Sequence, residues 1–596
     1  MTDAFHDAMP ADPAPEPGAV RRATIIRLVT GLAQGLLLYG LYQADKSKVW
    51  PATQRELYAA LLMVFVFTPF VVLAGVSALR LRTLAVWKGV AALTVAGLGA
   101  YGVWSGAPDA RGVDGLGPQA FFAIAALVFI GHHLVQPADM ERRRIARYPT
   151  YFDVTWKHGV QGALSLGFTG AFWLLLFLAA ALFKLIGVDA IDRLIKHEAF
   201  AFPATAVMFA AAVQLTDVRA SLVRGVRTVA LTLLAWLLPL MALIAAAFLL
   251  TLPFTGLEPL WRTKSATVIL LTADAFLILL TNAAYQDGAE KTAVVLKWAA
   301  RLAGVLLVPI TVLAAYGLSL RIGQYGLSPD RIIASACVLV AAGYALGYAV
   351  AAVRPGAWMK TLEATNIAMA FGVIVVLLAL FTPVADPRRL SVNDQIGRLK
   401  AGKIKPQAFD YVALRFDDGR YGREALKELQ HHADPTVRTK AGDTARLAIR
   451  PYASGVTAAA PRYAATRVFP VGQALPQSFT GQFWSPENAP YCSQGDRRCR
   501  AILIDTDGDG AVEILLGAGS ALEVYKADPK GGWKKVAQAS SDCGGADEKA
   551  LEAGDFRMAP AAPAQDLVVG AKRMRIEPDS TCDVAAQLSG LGRKRP

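Results

Sequence analysis

The sequence has little charge for its size and few of the groups that carry chemistry. Only 18% of its residues are Asp, Glu, Lys or Arg, against about 25% in a soluble domain, which argues against a purely water-soluble protein. There are 7 histidines and 5 cysteines, and no HExxH, GxSxG, Walker A loop or strand–GxGxxG–helix pattern occurs. No catalytic residue is therefore assigned, and no cofactor beyond a structural calcium ion considered below. The absence of a repeat period of about 20–50 residues excludes a propeller or solenoid. The net charge of +14 lacks the cationic stripe with interleaved aromatics that follows a nucleic acid, so no nucleic-acid partner is expected.

What the chain does have is hydrophobic length. Apolar residues make up 54% of it, and the mean hydropathy is +0.38. A helix needs roughly 20 apolar residues to cross a bilayer. Runs near that length fall at 23–42, 57–79, 85–105, 118–137, 159–186, 200–216, 226–252, 266–284, 302–320, 331–353 and 365–383. The first is the weakest, because Arg27 and Gln34 interrupt it, and 200–216 is short. Arg21 and Arg22 before the first run suggest a signal peptide, but no small-residue cleavage site follows, so an uncleaved span is expected. The expected fold class is mainly α: a polytopic helical membrane bundle of about 11 spans, then a short helical segment and a small β-rich extracytoplasmic domain.

The expected divisions are a disordered Pro- and Ala-rich N-terminus at 1–20, membrane helices at 21–385 and a soluble helical segment at 386–450. A linker at 451–475 and a β-rich, disulfide-containing domain at 476–596 follow. In the helical segment Ser391 and Asp394 read as a capping box, Pro406 suits a first helical turn, and a third helix runs from about Tyr421 to His431. Short alternating runs, RAILID, VEILLG, ALEVYKA and KKVAQA, read as strands.

Lys and Arg collect in cytoplasmic loops, and the cluster ERRRIAR, Glu141–Arg147, carries most of the bias here. It puts the N-terminus in the cytoplasm and everything after residue 386 outside. The cysteines agree. Cys337 lies in a span, whereas Cys492, Cys499, Cys543 and Cys582 share the polar tail. An even set in one domain suggests disulfides and an oxidising compartment. Of three connectivities, Cys492–Cys499 with Cys543–Cys582 is favoured; a zinc site is the rival, but YCSQGDRRC spaces its pair too widely for a CxxC knuckle.

Two stretches, AYGLSLRIGQYGLSPDR (Ala315–Arg331) and RLSVNDQIGRLKAGKIKPQAFDYVALRFDDGRYGREAL, resemble the bacterial membrane proteins grouped as domain of unknown function 4153. The lead-in YFDVTWKHGVQGALSLGFTGAFWLLLFLAAALFKLI is similar to that family's Trp-containing entry into a long span. The resemblance covers most of residues 20–430. It implies a polytopic inner-membrane protein of Gram-negative type and no reaction.

The strongest local signal is ILIDTDGDGAVEILLG. Asp505, Asp507 and Asp509 hold positions 1, 3 and 5 of a DxDxDG loop, but position 12 is Leu516 where an EF-hand needs a bidentate Glu. Glu513 at position 9 and the Ala511 carbonyl at position 7 instead resemble the calcium loops of integrin-type propeller repeats. A structural Ca²⁺ of weak, extracellular-type affinity is one reading; a solvated Asp/Gly turn is the other. In the membrane, Asp274 with Asn282 is a candidate for proton or cation handling, or else a helix–helix contact. His132 and His133 near Gln136, Asp139 and Glu141 form a poor chelate and read as interfacial. Arg321, Gln324, Tyr325 and Arg331 mark a polar loop that binds a headgroup or phosphate, or caps two helices. Gly343 and Gly347 beside Tyr344 and Tyr348 give a GxxxG packing face.

Three functions fit. The first is a membrane-anchored scaffold or sensor that displays an extracytoplasmic domain to an envelope protein or glycan. The second is a transporter or channel using Asp274, and the third a membrane enzyme acting on lipid or envelope intermediates.

Overall fold

The computed structural model describes residues 17–107, 116–263, 265–288, 292–355, 358–447, 463, 466–482, 490, 492, 499–518, 521–528, 532–540, 567–569 and 572–574. Contacts divide the chain into two compact units, Met1–Leu447 and Ala448–Pro596. The expected N-terminal disorder, the linker and the second cysteine pair fall largely or wholly outside the described residues.

The first unit is helical throughout. Its elements are α1 (Pro17–Lys46), α2 (Arg55–Gly75), α3 (Leu81–Ser105), α4 (Pro118–Glu141), α5 (Tyr148–Leu185), the short α6 (Ala190–Lys196), α7 (Glu198–Val218) and α8 (Ala220–Thr255). There follow the short α9 (Glu258–Arg262), then α10 (Ala266–Tyr285), α11 (Val294–Tyr325), α12 (Pro329–Val353) and α13 (Thr361–Leu380). Eleven of these are long and apolar enough to cross a membrane, one for each apolar run. Their outer faces stay apolar: Leu93, Leu174, Leu233 and Leu250 are all more than 60% exposed, which suits acyl chains and not water. The protein is a multi-pass membrane protein.

One core joins α5, α8, α10, α11 and α12 around Leu238, Leu277, Leu307 and Ile310. A second joins α2, α3 and α4 around Val71, Val95 and Ile124. α13 serves both, with Leu362 in the first and Leu377 and Leu378 against the second. Gly343 and Gly347 of α12 face Met369 and Thr365 of α13 closely enough that a Cβ would collide, as the GxxxG spacing suggests.

The polar residues that weaken the first run turn out to anchor it. Pro69 sits inside α2 and has no N–H, so the Phe65 carbonyl four residues earlier loses its helical donor. Gln34 supplies one, its amide donating to the carbonyls of Phe65 and Val66 at 3.2 Å. At the end of α2, Arg27 donates to the Leu73 carbonyl at 2.9 Å and to Asp217 at 2.8 Å and Gln214 at 2.5 Å on α7. Arg27 is 1% exposed, so its charge is matched inside the protein, as burial in lipid requires. Gly31 and Gly35 let α1 approach the backbone of α7 at Ala206 and Pro203.

The membrane helices lead into α14 (Pro387–Lys400), α15 (Tyr411–Phe416), α16 (Gly419–Leu429) and α17 (Pro435–Ala445). These share a small core of Leu414, Leu426, Val437 and Ala441. Two expectations fail here. Ser391 does not cap a helix; Asp386 does, accepting from the Arg388 and Arg389 N–H groups, with Pro387 at the first position. Pro406 lies in a turn before α15, whose cap is Asp410. In both cases a stronger Asp cap lay nearby in the sequence.

The second unit contains β1 (Arg467–Phe469), α18 (Gln477–Thr480), β2 (Arg500–Ile504), β3 (Glu513–Ala518), β4 (Ala521–Ala527), β5 (Trp533–Ser540), and a β6 (Leu567–Val569)–β7 (Lys572–Met574) pair. The sheet runs β1-β2-β3-β4-β5, with β1 parallel to β2 and the rest antiparallel. Phe479, Tyr525, Ile514 and the Cys492–Cys499 disulfide form its core.

Candidate functional site

The loop between α11 and α12 turns on Gly326 (φ +77°), and its main chain needs partners beyond the two helices. α14 provides them. Asp394 accepts from the Leu327 N–H at 2.7 Å, and Gln395 donates to the carbonyls of Tyr325 and Leu327 at 3.0 and 2.8 Å. Arg398 donates to the Gln324 carbonyl at 3.0 Å. From the bundle side, the Tyr101 hydroxyl donates to Asp386 at 2.7 Å and meets the Tyr421 hydroxyl at 3.0 Å. Arg420 lies over the Trp104 ring, 4.5 Å from its centroid, and donates to the Trp104 carbonyl. Gly419 at φ +56° lies so close to the Ser105 carbonyl that any side chain would strike it.

These contacts enclose a cavity of about 930 Å³ between the ends of α3, α4, α11, α12 and α13 and the segment α14–α15. Its charges are balanced. Arg331, Arg388, Arg398, Lys403 and Lys405 share the wall with Asp330, Asp386, Asp410, Asp417 and Asp418. Asp418 is the most confined, at 2% exposed, and its Oδ1 accepts no hydrogen bond. Burial pushes its carboxyl up to about 7, helped by the neighbouring Asp417 and opposed by a hydrogen bond from Ser391. A buried acceptor with spare capacity, in a cavity whose wall also carries guanidinium groups, fits a polar ligand with both an N–H or O–H donor and an anionic group.

Of the loop residues picked from sequence, Gln324, Tyr325 and Arg331 line this cavity and Arg321 does not. The Arg331 guanidinium stacks on Tyr325 at 5.5 Å and donates to the Gly326 carbonyl at 2.7 Å. Asp418 escaped the sequence reading, although two adjacent acids in FDDG were a visible sign of strain.

In the bundle core Asp274 is 1% exposed and accepts from Thr311 of α11 at 2.7 Å, while its Oδ1 has no hydrogen bond. Asn282 belongs to a separate group: it donates to the Tyr348 hydroxyl at 2.7 Å and accepts from Asn366 at 2.6 Å and the Tyr148 hydroxyl at 3.2 Å. His132 and His133 are buried within the bundle, at 4% and 6% exposed.

In the second unit the Asp505 carboxylate accepts from the N–H groups of Gly508 at 2.7 Å and Gly510 at 2.9 Å; these hold it below its usual range. Asp505, Asp507 and Glu513 bring oxygens within 4.8 Å of one another, and Asp509 is not in that group. The Lys526 amine donates to Asp507 and Asp509 at 2.5 Å each and lies 3.5 Å from Glu513. Its own proton is held more firmly as a result. Continuing the β3–β4 register, in which Ile514 faces Tyr525, puts Lys526 opposite Glu513.

Residues 57–420 match the family described as a domain of unknown function (DUF4153). The chain belongs to that family. No curated protein and no solved structure matches the chain. The cavity wall, from Leu98 to Asp418, falls wholly within the DUF4153 match, whereas the acidic loop at 505–513 lies outside it.

A carboxyl that binds its proton more tightly when folded favours the folded state most below the ordinary value of 3.8. That contribution is lost as pH rises toward about 7, with a slope of up to about 1.4 kcal/mol per pH unit. Asp418→Asn should therefore flatten the fall in melting temperature between about pH 4 and 7. Parallel falls in wild type and variant would show that Asp418 is not the group that titrates.

Proposed function

We propose that this protein is a membrane-anchored sensor or scaffold of the bacterial inner membrane. In this reading the bundle-end cavity receives a polar headgroup or an envelope-derived ligand, and the post-membrane helices that share its wall respond to its occupancy. The supporting observation is that the cavity wall is shared between span ends and the post-membrane helices, so one ligand touches both. Balanced charge and the spare acceptor on Asp418 favour a zwitterionic head over a simple anion. A transporter reading rests on Asp274, whose free Oδ1 is a place for a proton or cation; it has one Thr partner and no ion pair among the described residues, which leaves it second. Among the described residues no nucleophile–base pair supports the enzyme reading.

The ligand reading is tested by hydrogen–deuterium exchange on the full chain in nanodiscs. Phosphatidylethanolamine, with an ammonium and a phosphate, should slow exchange in residues 386–447 relative to phosphatidylcholine, whose head has no N–H. Asp418→Asn with Arg331→Ala should cancel the difference. Equal exchange in both lipids would remove the headgroup as ligand.

The proposed orientation places residue 386 and all that follows outside the cytoplasm, with the N-terminus inside. An alkaline phosphatase fusion at residue 390 should then be active; activity of a cytoplasm-only reporter at that position would reverse the topology.

For the loop at 505–513 we propose weak structural calcium binding through Asp505, Asp507, Asp509, Glu513 and the Ala511 carbonyl, in competition with the Lys526 ammonium. Oxygen ligands suit a hard cation, and Lys526 already neutralises part of the charge. Calorimetry on the full chain should show heat at millimolar Ca²⁺, and Lys526→Met should raise the affinity. No heat in either protein would leave the lysine as the loop's sole counter-charge.

A further inference from the structure

A second cavity, of about 1060 Å³, lies on the flank of the bundle between α1, α2, α4, α5 and α7. Its wall is mostly apolar, with Phe67, Phe70, Phe129, Leu166, Phe202 and Phe209. Leu166 and Phe129 are 66% and 44% exposed, so the groove opens outward where a bilayer would supply chains. One group breaks the apolar wall: His132, His133 and His158. His133 is eight residues from the end of α4 and His158 ten from the start of α5. At about 1.5 Å per residue they sit roughly 12 and 15 Å along α4 and α5 from those helix ends.

The hydrogen bonds fix which nitrogen carries each proton. The His133 Nδ1 lies 2.7 Å from the Phe129 carbonyl; a carbonyl only accepts, so Nδ1 holds the proton and Nε2 of the uncharged ring is an acceptor. His158 Nδ1, at 3.0 Å from that Nε2, must then be the donor. This leaves Nε2 of His158 as an acceptor on the groove wall, with no protein donor to it among the described residues. His132 has no such capacity. It accepts from the Trp87 Nε1–H at 3.3 Å and donates to the Gln136 Oε1 at 2.9 Å. Gln34 and Gln161 also border the groove; Gln34 spends both amide N–H groups on main-chain carbonyls and Gln161 one of its two.

The groove therefore offers an apolar channel, uncharged hydrogen-bond acceptors led by His158 Nε2, and a wall of aromatic rings set at tilted and edge-on angles. The Phe129 and His133 centroids are 4.1 Å apart, and those of His133 and His158 5.0 Å. It has no cation. Arg27 and Lys157 nearby are held by Asp217 at 2.8 and 2.9 Å and do not line it, so a phosphate headgroup finds no partner. A flat, neutral head with an O–H donor does.

We propose that this groove binds a quinol, its tail along the phenylalanines and its phenolic O–H donating to Nε2 of His158. The hydrogen-bonded chain ends at a carbonyl, which takes no proton. The site therefore orients and holds the quinol, and no oxidation step is implied. The site is independent of the bundle-end cavity: the two share no lining residue.

The test uses the full chain in phosphatidylcholine nanodiscs and two probes, 2-decylhydroquinone and its dimethyl ether, which has the same ring and tail without the donor. Binding is read by flow dialysis against protein-free nanodiscs of the same lipid, so that partitioning is subtracted. The hydroquinone should bind about tenfold tighter than the ether, the scale of one buried hydrogen bond. His158→Phe should abolish that ratio, and His158→Gln, which keeps an acceptor, should restore part of it. Gly162→Phe fills groove space that is open beside the glycine and should weaken both probes. Equal affinity for the two probes in the wild type overturns the proposal even if every variant misfolds. So does hydroquinone binding unchanged in folded His158→Phe, or no binding of either probe above partitioning.

Discussion

A main-chain carbonyl that loses its helical partner inside a bilayer has no water to turn to, and this constraint organises the first unit. Pro69 frees one carbonyl and Gln34 meets it. The end of α2 frees another and Arg27 meets it. The turn between α11 and α12 exposes several, and Arg331, Gln395, Arg398 and Asp394 share its N–H and C=O groups between them. Polar side chains that look like interruptions of a hydrophobic run are in each case the complement of a break in another helix. Arg27 brings a charge with it, which Asp217 balances, and Asp217 also takes Lys157. The α1–α2–α7 corner is thus tied by one buried ionic group.

The same logic at the bundle end produces a cavity. Because α14 is bound to a loop by side-chain-to-main-chain bonds rather than by an apolar face, space remains between them. The two family-like stretches, far apart in sequence, meet there. The basic loop is one wall of a charge-balanced pocket, and Asp418 lies buried in another part of that wall beside Asp417. A pocket walled by span ends and by a folded post-membrane segment is the arrangement on which the sensor reading rests.

In the C-terminal unit the acidic loop follows a different economy. Its carboxylates bind the loop's own N–H groups and one lysine. A cation entering this loop must compete with the ammonium of Lys526.

The sequence alone determined the spans, because hydrophobic length is a local property and eleven apolar runs became eleven long helices. It also determined β2–β5 and the short-range Cys492–Cys499 bond, but not β1, which lies in the stretch read as a linker and is held by pairing with β2, more than 30 residues away. Cap positions were misread where two local patterns competed, as at Asp386 and Ser391. Only the tertiary structure paired Arg27 with Asp217, brought Lys526 across a strand to Asp507, and added His158 to the visible His132–His133 pair. Those partners lie 190, 19 and 25 residues apart. Periodicity reports which face of an element is buried, but which residues meet there depends on how helices and strands pack, and packing is not written in any one stretch of chain.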